Sequence, residues 1–278
     1  MRREILKPRN DAVFKHLMRD KRLLVSFLQS ALDLPPEDYS EVQLIDPHLP
    51  GERPESKLGI LDVKVTTAQG NIIDIEIQLN PVPEMRERAI FYLSGMIREQ
   101  VRRGESYRKV KRAICILITG YEEIHDSVRY HNKYMLYDPD SGSLFSRAME
   151  VHTLELPKLP EEGDGTKLCA WLEFIRASRE EEFEMLAQKD PDIGLAVVKL
   201  KDLSQDERLY ELALAREKLE WDIASREEGA EKRGREAAQR AIAQNLLKLG
   251  IPPGDIAQAT GLSQAEIRQL QDGGPNRH

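Results

Sequence analysis

The fold is decided by residues 58–79, which read LGILDVKVTTAQGNIIDIEIQL. Two runs rich in β-branched residues, 58–65 and 72–79, flank a turn signal at Gly70-Asn71, which is typical of a β-hairpin. Side chains of a strand point alternately to its two faces. The alternation in both runs therefore predicts two paired strands, each with one apolar and one polar face.

The polar face of this hairpin gathers the groups that divalent-metal chemistry requires. Asp62 and Lys64 lie on the polar face of the first run, and Glu76 and Gln78 on that of the second. Pairing the apolar faces places Asp62 close to Glu76 across the ladder. Two facing carboxylates suit Mg²⁺, which prefers oxygen ligands and can activate a water for phosphodiester hydrolysis. We predict Asp62 and Glu76 as metal ligands and Gln78 as the group that orients the water or contacts the phosphate.

The segments around the hairpin predict an α/β fold. Apolar residues recur at helical spacing over 11–32, where Asn10 or Asp11 is a candidate N-cap, and again over 84–103, with Gly104 as a candidate C′ residue. Further strands are predicted at 41–50, 110–118, 134–137 and 149–156. This order predicts a mixed sheet flanked by helices, followed by an all-α C-terminal region.

The chain changes character after Pro160. Residues 161–165 resemble a linker, and residues 206–246 have the composition of a long helix, with Leu209, Leu212, Leu219 and Ile223 at heptad-like spacing. Three short helices at 241–249, 253–259 and 264–270 follow, with the spacing of a helix-turn-helix. We therefore predict a nuclease-like domain at 1–160, a helical linker at 161–240, and a small helix-turn-helix-like module at 241–278 that ends in a disordered tail from residue 271.

The composition excludes several classes of protein. With 278 residues, of which 40% are hydrophobic, the chain needs no disulfide or zinc to stabilise a core, and its two cysteines share no CxxC spacing. No apolar run is long enough to span a membrane, and the charged N-terminus is unlike a signal peptide, so we expect a cytoplasmic protein. The net charge of −7 weakens the case for nucleic-acid binding without removing it, because a nuclease that binds through a few local Arg and Lys residues and a cation can be acidic overall.

Several separate patches of the sequence resemble one known family. Asp62, followed after the turn by Glu76-Ile-Gln78, resembles the D…(D/E)xK core of the restriction-endonuclease-like superfamily, also written PD-(D/E)xK. More narrowly, the chain resembles the Rpn family of recombination-promoting nucleases, also described as candidate transposases. The supporting patches are Asp11-Ala-Val-Phe-Lys15, Lys57, Arg88-Ala-x-x-Tyr92, Gln100 with Gly104-x-x-Tyr107, and the C-terminal Thr-Gly-Leu-Ser module.

The resemblance implies a Mg²⁺-dependent DNA endonuclease connected with recombination or mobile elements, with Mn²⁺ or Ca²⁺ as alternative ions. Gln78 stands where the superfamily has its motif lysine, so Lys64 or Lys57 is expected to supply the positive charge. Asp11 is the candidate for a carboxylate on the first helix. Arg88 and Tyr92, one turn apart on a helix, are candidate substrate contacts.

Other interpretations of the same residues remain open. Asp62, Glu76 and Gln78 are also what the solvated face of an antiparallel sheet would carry. Asp11 and Lys15 fit an i,i+4 ion pair, and Arg88 and Tyr92 fit ordinary packing. The alternative function is a catalytically silent DNA-associated or oligomeric interaction protein. In either case we expect DNA as a partner, no membrane, and a homodimer formed through the helical region.

Overall fold

The computed structural model describes residues 4–45 and 63–272. The predictions made for Asp62 and Lys57, and for most of the tail predicted from residue 271, lie outside the described residues. The other candidate site residues all fall within them. Gln271 and Asp272 are described and are helical rather than part of a disordered tail.

A mixed sheet forms the centre of the protein. Its strands in the described ranges are β1 (Gln43–Leu44), β2 (Val63–Thr66), β3 (Ile72–Gln78), β4 (Ala113–Thr119), β5 (His131–Tyr137) and β6 (Leu144–Glu155), in the order β1-β2-β3-β4-β6-β5. The strands β3, β4 and β6 run parallel to one another, and the remaining pairs are antiparallel. The predicted hairpin is present as β2 and β3, which pair from Val63 with Ile75 to Thr66 with Ile72. Its turn contains Gly70 at a φ of +83°, in the left-handed region that glycine adopts without strain.

Helices precede, cover and follow the sheet. Their bounds are α1 (Asp11–Leu17), α2 (Lys21–Ala31), α3 (Met85–Arg98), α4 (Lys167–Arg176), α5 (Glu180–Ala187), α6 (Pro191–Leu203), α7 (Glu207–Lys248), α8 (Pro253–Thr260) and α9 (Gln264–Asp272). The helix predicted over 11–32 is two helices. Asp20 interrupts it, because its carboxylate accepts the backbone N–H groups of Arg22 and Leu23 and so caps a second helix. Asn10 caps the first, as predicted.

The two faces of the sheet are covered by different helices. One face carries Val65, Ile75 and Ile116 and packs against α1, α2, α4, α5 and α6 in the main core. The other face carries Ile72, Ala113 and Cys115 and packs against α3 through side chains that include Tyr92 and Met96. The predicted mixed sheet between helices is therefore confirmed.

Of the helices described after residue 160, α4, α5 and α6 belong to the same compact unit as the sheet. A compact unit extends over Met1–Glu217, and a second over Lys218–His278. The boundary predicted at residue 160 differs from this division because α4, α5 and α6 bury large aromatic side chains in the main core. Rings from distant parts of the chain meet edge to face at centroid distances of 5.7–6.3 Å, in the order Phe14, Phe27, Trp171, Phe174 and Phe183.

The second unit is helical and has a small core of its own. Helix α7 begins in the first unit and continues into the second. Ala243 near its end packs with Ile256 of α8, Leu262 and Ile267 of α9. The turn between α8 and α9 contains Gly261 at a φ of +73°, and the hydroxyl of Ser263 donates to the carboxylate of Glu266 at the start of α9. The predicted all-α C-terminal region is thus confirmed. Among the described helices, none is both long and apolar enough to cross a membrane.

Candidate active site beneath helix α3

The polar side of β3 faces helix α3 rather than solvent. Asp74, Glu76 and Gln78 alternate along this strand and pair in register with Cys115, Leu117 and Thr119 of β4. Because helix α3 covers this face of the sheet, Asp74 and Glu76 are buried, with exposed fractions of 0% and 6%. Charged groups are seldom buried unless they are paired or bind a ligand. The strand therefore carries carboxylates that surface water does not stabilise, so that they need a partner or a ligand.

Asp74 is a further candidate site residue that was not predicted from the sequence. Its carboxylate lies 3.9 Å from the thiol of Cys115, measured from Oδ2 to Sγ. Burial, and then the nearby charges of Asp74 and Glu76, raise the pKa of the Cys115 thiol well above its usual value. The neutral thiol is therefore the favoured form of Cys115. The alternation that selected Glu76 also placed Asp74 on the same face, so a signal for it was present.

Lys64 reaches the same side of the sheet from β2. It pairs across the ladder with Asp74, so the two side chains leave the sheet on one face. Its side chain is only 3% exposed, and its ammonium lies 2.8 Å and 2.7 Å from the two carboxylate oxygens of Glu99. Glu99 follows the last turn of α3 and was not predicted as a site residue. Its contact with Lys64 joins positions 35 residues apart, which local spacing does not reveal.

Arg88 and Tyr92 lie above these carboxylates on α3. The guanidinium of Arg88 donates to the hydroxyl of Tyr92 at 3.1 Å and lies 5.8 Å from its ring centroid. Burial raises the pKa of Tyr92, and the negative charges of Glu76 and Asp74 raise it further, while Arg88 opposes them. The structure therefore brings Arg88 and Tyr92 together with Glu76, whereas the sequence left open whether they pack or face a substrate.

Two other predicted residues have local partners. The amide of Gln78 donates to the backbone carbonyl of Asn80 at 3.1 Å. Asp11 begins α1, which packs on the opposite face of the sheet, and its carboxylate lies 3.9 Å from Lys15 and 3.7 Å from Arg216. Asp11 therefore has the ion-pair role that its spacing to Lys15 allowed, with a second partner supplied by α7.

An open cleft lies beside the carboxyl ends of β3 and β4, where ligands commonly bind in sheets with parallel strands. Its volume is about 510 Å³, and its lining includes Glu84, Arg86, Tyr121 and His125. Glu84 has a φ of 61°, a left-handed conformation that is rare for residues other than glycine. Arg86 of α3 is linked to the segment after β4 by its contact with the Glu123 carboxylate at 2.6 Å.

Comparison with known protein families decides what kind of protein this is. The profile described as PD-(D/E)XK nuclease family transposase matches residues 8–230. The chain belongs to this family. A second profile, described as the C-terminal HTH domain of the Rpn/YhgA-like nuclease family, matches residues 235–272 and agrees with the predicted module. Neither a curated protein nor a solved structure matches the chain.

Membership of the PD-(D/E)XK nuclease family directs attention to the oxygen ligands around β3. Within residues 4–45 and 63–272, no group of three or more His, Cys, Asp or Glu side chains is arranged to hold a metal ion. The described part of the site contributes the carboxylates of Asp74 and Glu76 and the amide of Gln78. Hard oxygen donors of this kind fit Mg²⁺, Mn²⁺ or Ca²⁺ and do not suit a tetrahedral zinc site.

Proposed function

We propose that this member of the PD-(D/E)XK nuclease family is a metal-dependent DNA endonuclease that hydrolyses phosphodiester bonds. The observation that carries the proposal is the convergence of Glu76, Lys64 and Arg88 on the side of β3 that lies beneath α3. Buried carboxylates next to two cations supply both an oxygen ligand set and positive charge for a phosphate. Purely structural ion pairs do not need carboxylates on a central strand with cations from both β2 and α3 beside them.

Each residue receives a definite role in this proposal. Asp62 and Glu76 would hold the metal ion, with Asp74 beside them as a further carboxylate. A bound divalent ion supplies charge neutralisation and lowers the pKa of a bound water. The carbonyl oxygen of the Gln78 amide accepts a hydrogen bond from the attacking water and so orients it. Arg88, held by Tyr92, donates to a non-bridging phosphate oxygen.

Lys64 replaces the charge of the motif lysine in this proposal. An ammonium group has three N–H donors, and its contacts with the two oxygens of Glu99 engage two of them. The third can be directed at the phosphate while Glu99 keeps the side chain in place. Lys57 is proposed as an outer contact to the DNA backbone.

DNA is the proposed substrate, and the link to recombination or mobile elements rests on the family. The C-terminal module supports DNA as the partner, because a helix-turn-helix places a helix in the major groove. We also propose that the protein is a homodimer formed through α7. Leu212, Leu219 and Ile223 of this helix stay about half exposed at heptad-like spacing.

The alternative is a catalytically silent DNA-associated or oligomeric protein. The observation that favours it is the pairing of Lys64 with Glu99, since a lysine held in a buried ion pair can be purely structural. Gln78 in the motif lysine position favours it as well. The two candidates differ in whether Glu76 is needed for cleavage.

Cleavage of supercoiled plasmid in Mg²⁺, Mn²⁺, Ca²⁺ or EDTA tests the proposal. We expect nicking by the wild type only with a supporting metal, and loss of at least about 100-fold in rate for Asp62→Ala and Glu76→Gln. Glu37→Gln, which removes the same charge from an exposed position, is the matched control and should cut normally. A wild type that cuts in none of the metals, or a fully active Glu76→Gln, would transfer support to the silent alternative.

A further inference from the structure

The connection between α3 and β4 is strongly basic in an acidic protein. Residues 98–112 contain seven Arg or Lys and two Glu, a net charge of +5, whereas the whole chain has a net charge of −7. The negative total charge alone weakens the case for nucleic-acid binding. A local cluster of this size can still attract a polyanion. Salt screens charges that lie more than about 10 Å from the contact, so binding depends on the charge close to it.

Most of these cations are not held in an ion pair within the described parts of the chain. The acidic side chains in and around the segment already form ion pairs: Glu99 with Lys64, Glu105 with Lys109, and Glu150 with Arg112. Five exposed residues form no ion pair with any other residue in the described parts of the chain: Arg98, Arg102, Arg103, Arg108 and Lys111. We call these five residues the basic loop.

Hydrogen bonds between side chains and the backbone order the segment that carries the basic loop. The Gln100 amide accepts the backbone N–H of Lys111 at 2.6 Å and donates to its carbonyl at 3.3 Å. Glu105 accepts the backbone N–H of Arg102 at 3.0 Å, and Ser106 accepts that of Arg108 at 3.3 Å. A surface that is already ordered loses less conformational entropy when it binds.

The chemistry of the loop suits phosphate and bases better than an acidic protein. Guanidinium groups match phosphate oxygens in a two-pronged geometry, and four of the five cations are arginines. Tyr107 lies between Arg103 and Arg108 with 84% of its side chain exposed, as expected of a ring on which a base stacks. An interface with another protein would bury an apolar centre. In the described stretch from residue 98 to 112, however, Tyr107 is the single large hydrophobic side chain that is exposed.

The basic loop begins beside Glu99, the partner of Lys64, and extends to the end of the sheet opposite Gln78. It leads into the amino end of β4, where Ala113 pairs with Ile72, whereas Gln78 is at the other end of β3. Six residues of strand separate the two ends, roughly 20 Å. A duplex longer than about six base pairs can span this distance.

We propose that the basic loop binds the phosphate backbone of a nucleic acid as an accessory contact outside the catalytic centre. The contact needs neither the metal nor cleavage, so it can be tested whether or not the endonuclease proposal holds. It also explains how a chain with a negative total charge can engage a polyanion.

Fluorescence anisotropy of a labelled 30-base-pair duplex tests the proposal, using the full chain in EDTA over a series of salt concentrations. Arg102→Gln/Arg103→Gln and Arg108→Gln/Lys111→Gln should each lower the slope of log affinity against log salt by about two, roughly one per lost phosphate contact. Arg19→Gln/Lys21→Gln removes the same charge from exposed positions on the other side of the sheet and should leave the slope unchanged. Tyr107→Ala should lower the affinity for single-stranded DNA by about fivefold or more, and the affinity for duplex DNA by less.

The outcomes that overturn the proposal are specific. The first is a wild type that binds neither duplex nor single-stranded DNA at low salt. The second is loop variants whose affinity and salt dependence equal those of the wild type, and the third is a control pair that loses as much affinity as the loop pairs. If the loop variants lost binding to polyglutamate but bound DNA as the wild type does, the partner would be an acidic protein. That result would also overturn the proposal. Plasmid cleavage is not read in this experiment, so its result is independent of the endonuclease test.

Discussion

Lys64 and Glu99 form an ion pair whose two side chains are 3% and 14% exposed. Replacing Glu99 by Gln leaves the ammonium buried without its counter-charge, which we expect to lower the free energy of unfolding by about 3 kcal/mol. Glu105→Gln is the matched control, because its pair with Lys109 is largely in solvent and should contribute much less to stability. Urea denaturation of both variants measures the difference. Equal losses would mean that the Lys64 ammonium is solvated when Glu99 is absent.

His131 gives the protein a stability that depends on pH. Its Nε2 lies 2.8 Å from Nδ1 of His152, whose other nitrogen lies 2.7 Å from Glu150. Burial, and then the nearby positive charges of His152, Lys133 and Arg129, lower the pKa of His131 from 6.5 to about 4. The unfolded chain therefore binds a proton more readily than the folded one between these values, and stability is lost as pH falls from about 6.5 towards 4.

The pH effect of His131 can be isolated with one variant. Between pH 7.5 and pH 5 we expect the wild type to lose about 1–2 kcal/mol more than His131→Gln, allowing for the partial exposure of the ring. Glu150 does not confuse the comparison. Burial opposes its ionisation, but hydrogen bonds from His152, Arg112 and Lys133 prevail and lower its pKa to about 2. Its contribution is lost only below the unfolded value of 4.5. Urea denaturation at the two pH values would contradict this account if both proteins lost the same amount.

The ends of β3 and β4 are joined at Gly120, where an added side chain has no room. A Cβ atom there would lie 2.6 Å from the backbone oxygen of Leu79, and the Gly120 N–H donates to the Gln78 carbonyl at 2.9 Å. We expect Gly120→Ala to cost roughly 2 kcal/mol and to displace Gln78, so that plasmid nicking slows as well. Gly234→Ala in α7 meets nothing within 4 Å and should instead stabilise by about 0.5–1 kcal/mol. Thermal unfolding that ranks the two variants in the opposite order would contradict this.

The elements themselves were largely predictable, because local periodicity and turn chemistry determine them. The hairpin, α3, β4 and the C-terminal helices all appear near their predicted positions. Helix α3 ends at Arg98 rather than near Gly104, since Gln100 binds the backbone of Lys111. Strand β6 begins at Leu144 rather than 149, because its first residues pair only with β5 in a ribbon beyond the sheet.

Contacts between distant parts of the chain account for what the sequence did not reveal about the site. Lys64 is bound by Glu99 and Asp11 by Arg216, and neither partner stands at a spacing that helix or strand geometry would suggest. Residue spacing identified Glu76 correctly as lying on a shared polar face, yet it gave no indication that α3 covers that face. The burial of Asp74 and Glu76 depends on this cover, which only the tertiary packing supplies.

At the scale of the whole molecule, α7 connects the two compact units and exposes apolar side chains that a single chain does not cover. Leu209 and Ala213 are buried against the first unit, whereas Leu219, Ile223 and the 80%-exposed Trp221 are not. A second copy of the same helix would bury them, and a dimer would supply two active sites for the two strands of a duplex.

The dimer can be tested with one charge in the exposed stripe of α7. We expect the wild type to elute with the mass of a dimer in size-exclusion chromatography with light scattering, and Leu219→Lys to weaken association by at least tenfold, because it buries a charge in an apolar seam. Leu249→Lys, at a residue that is 76% exposed just beyond the end of α7, is the matched control and should remain dimeric. A monomeric wild type would remove the dimer from the proposal, and cleavage of both DNA strands would then require two separate encounters of one chain with the duplex.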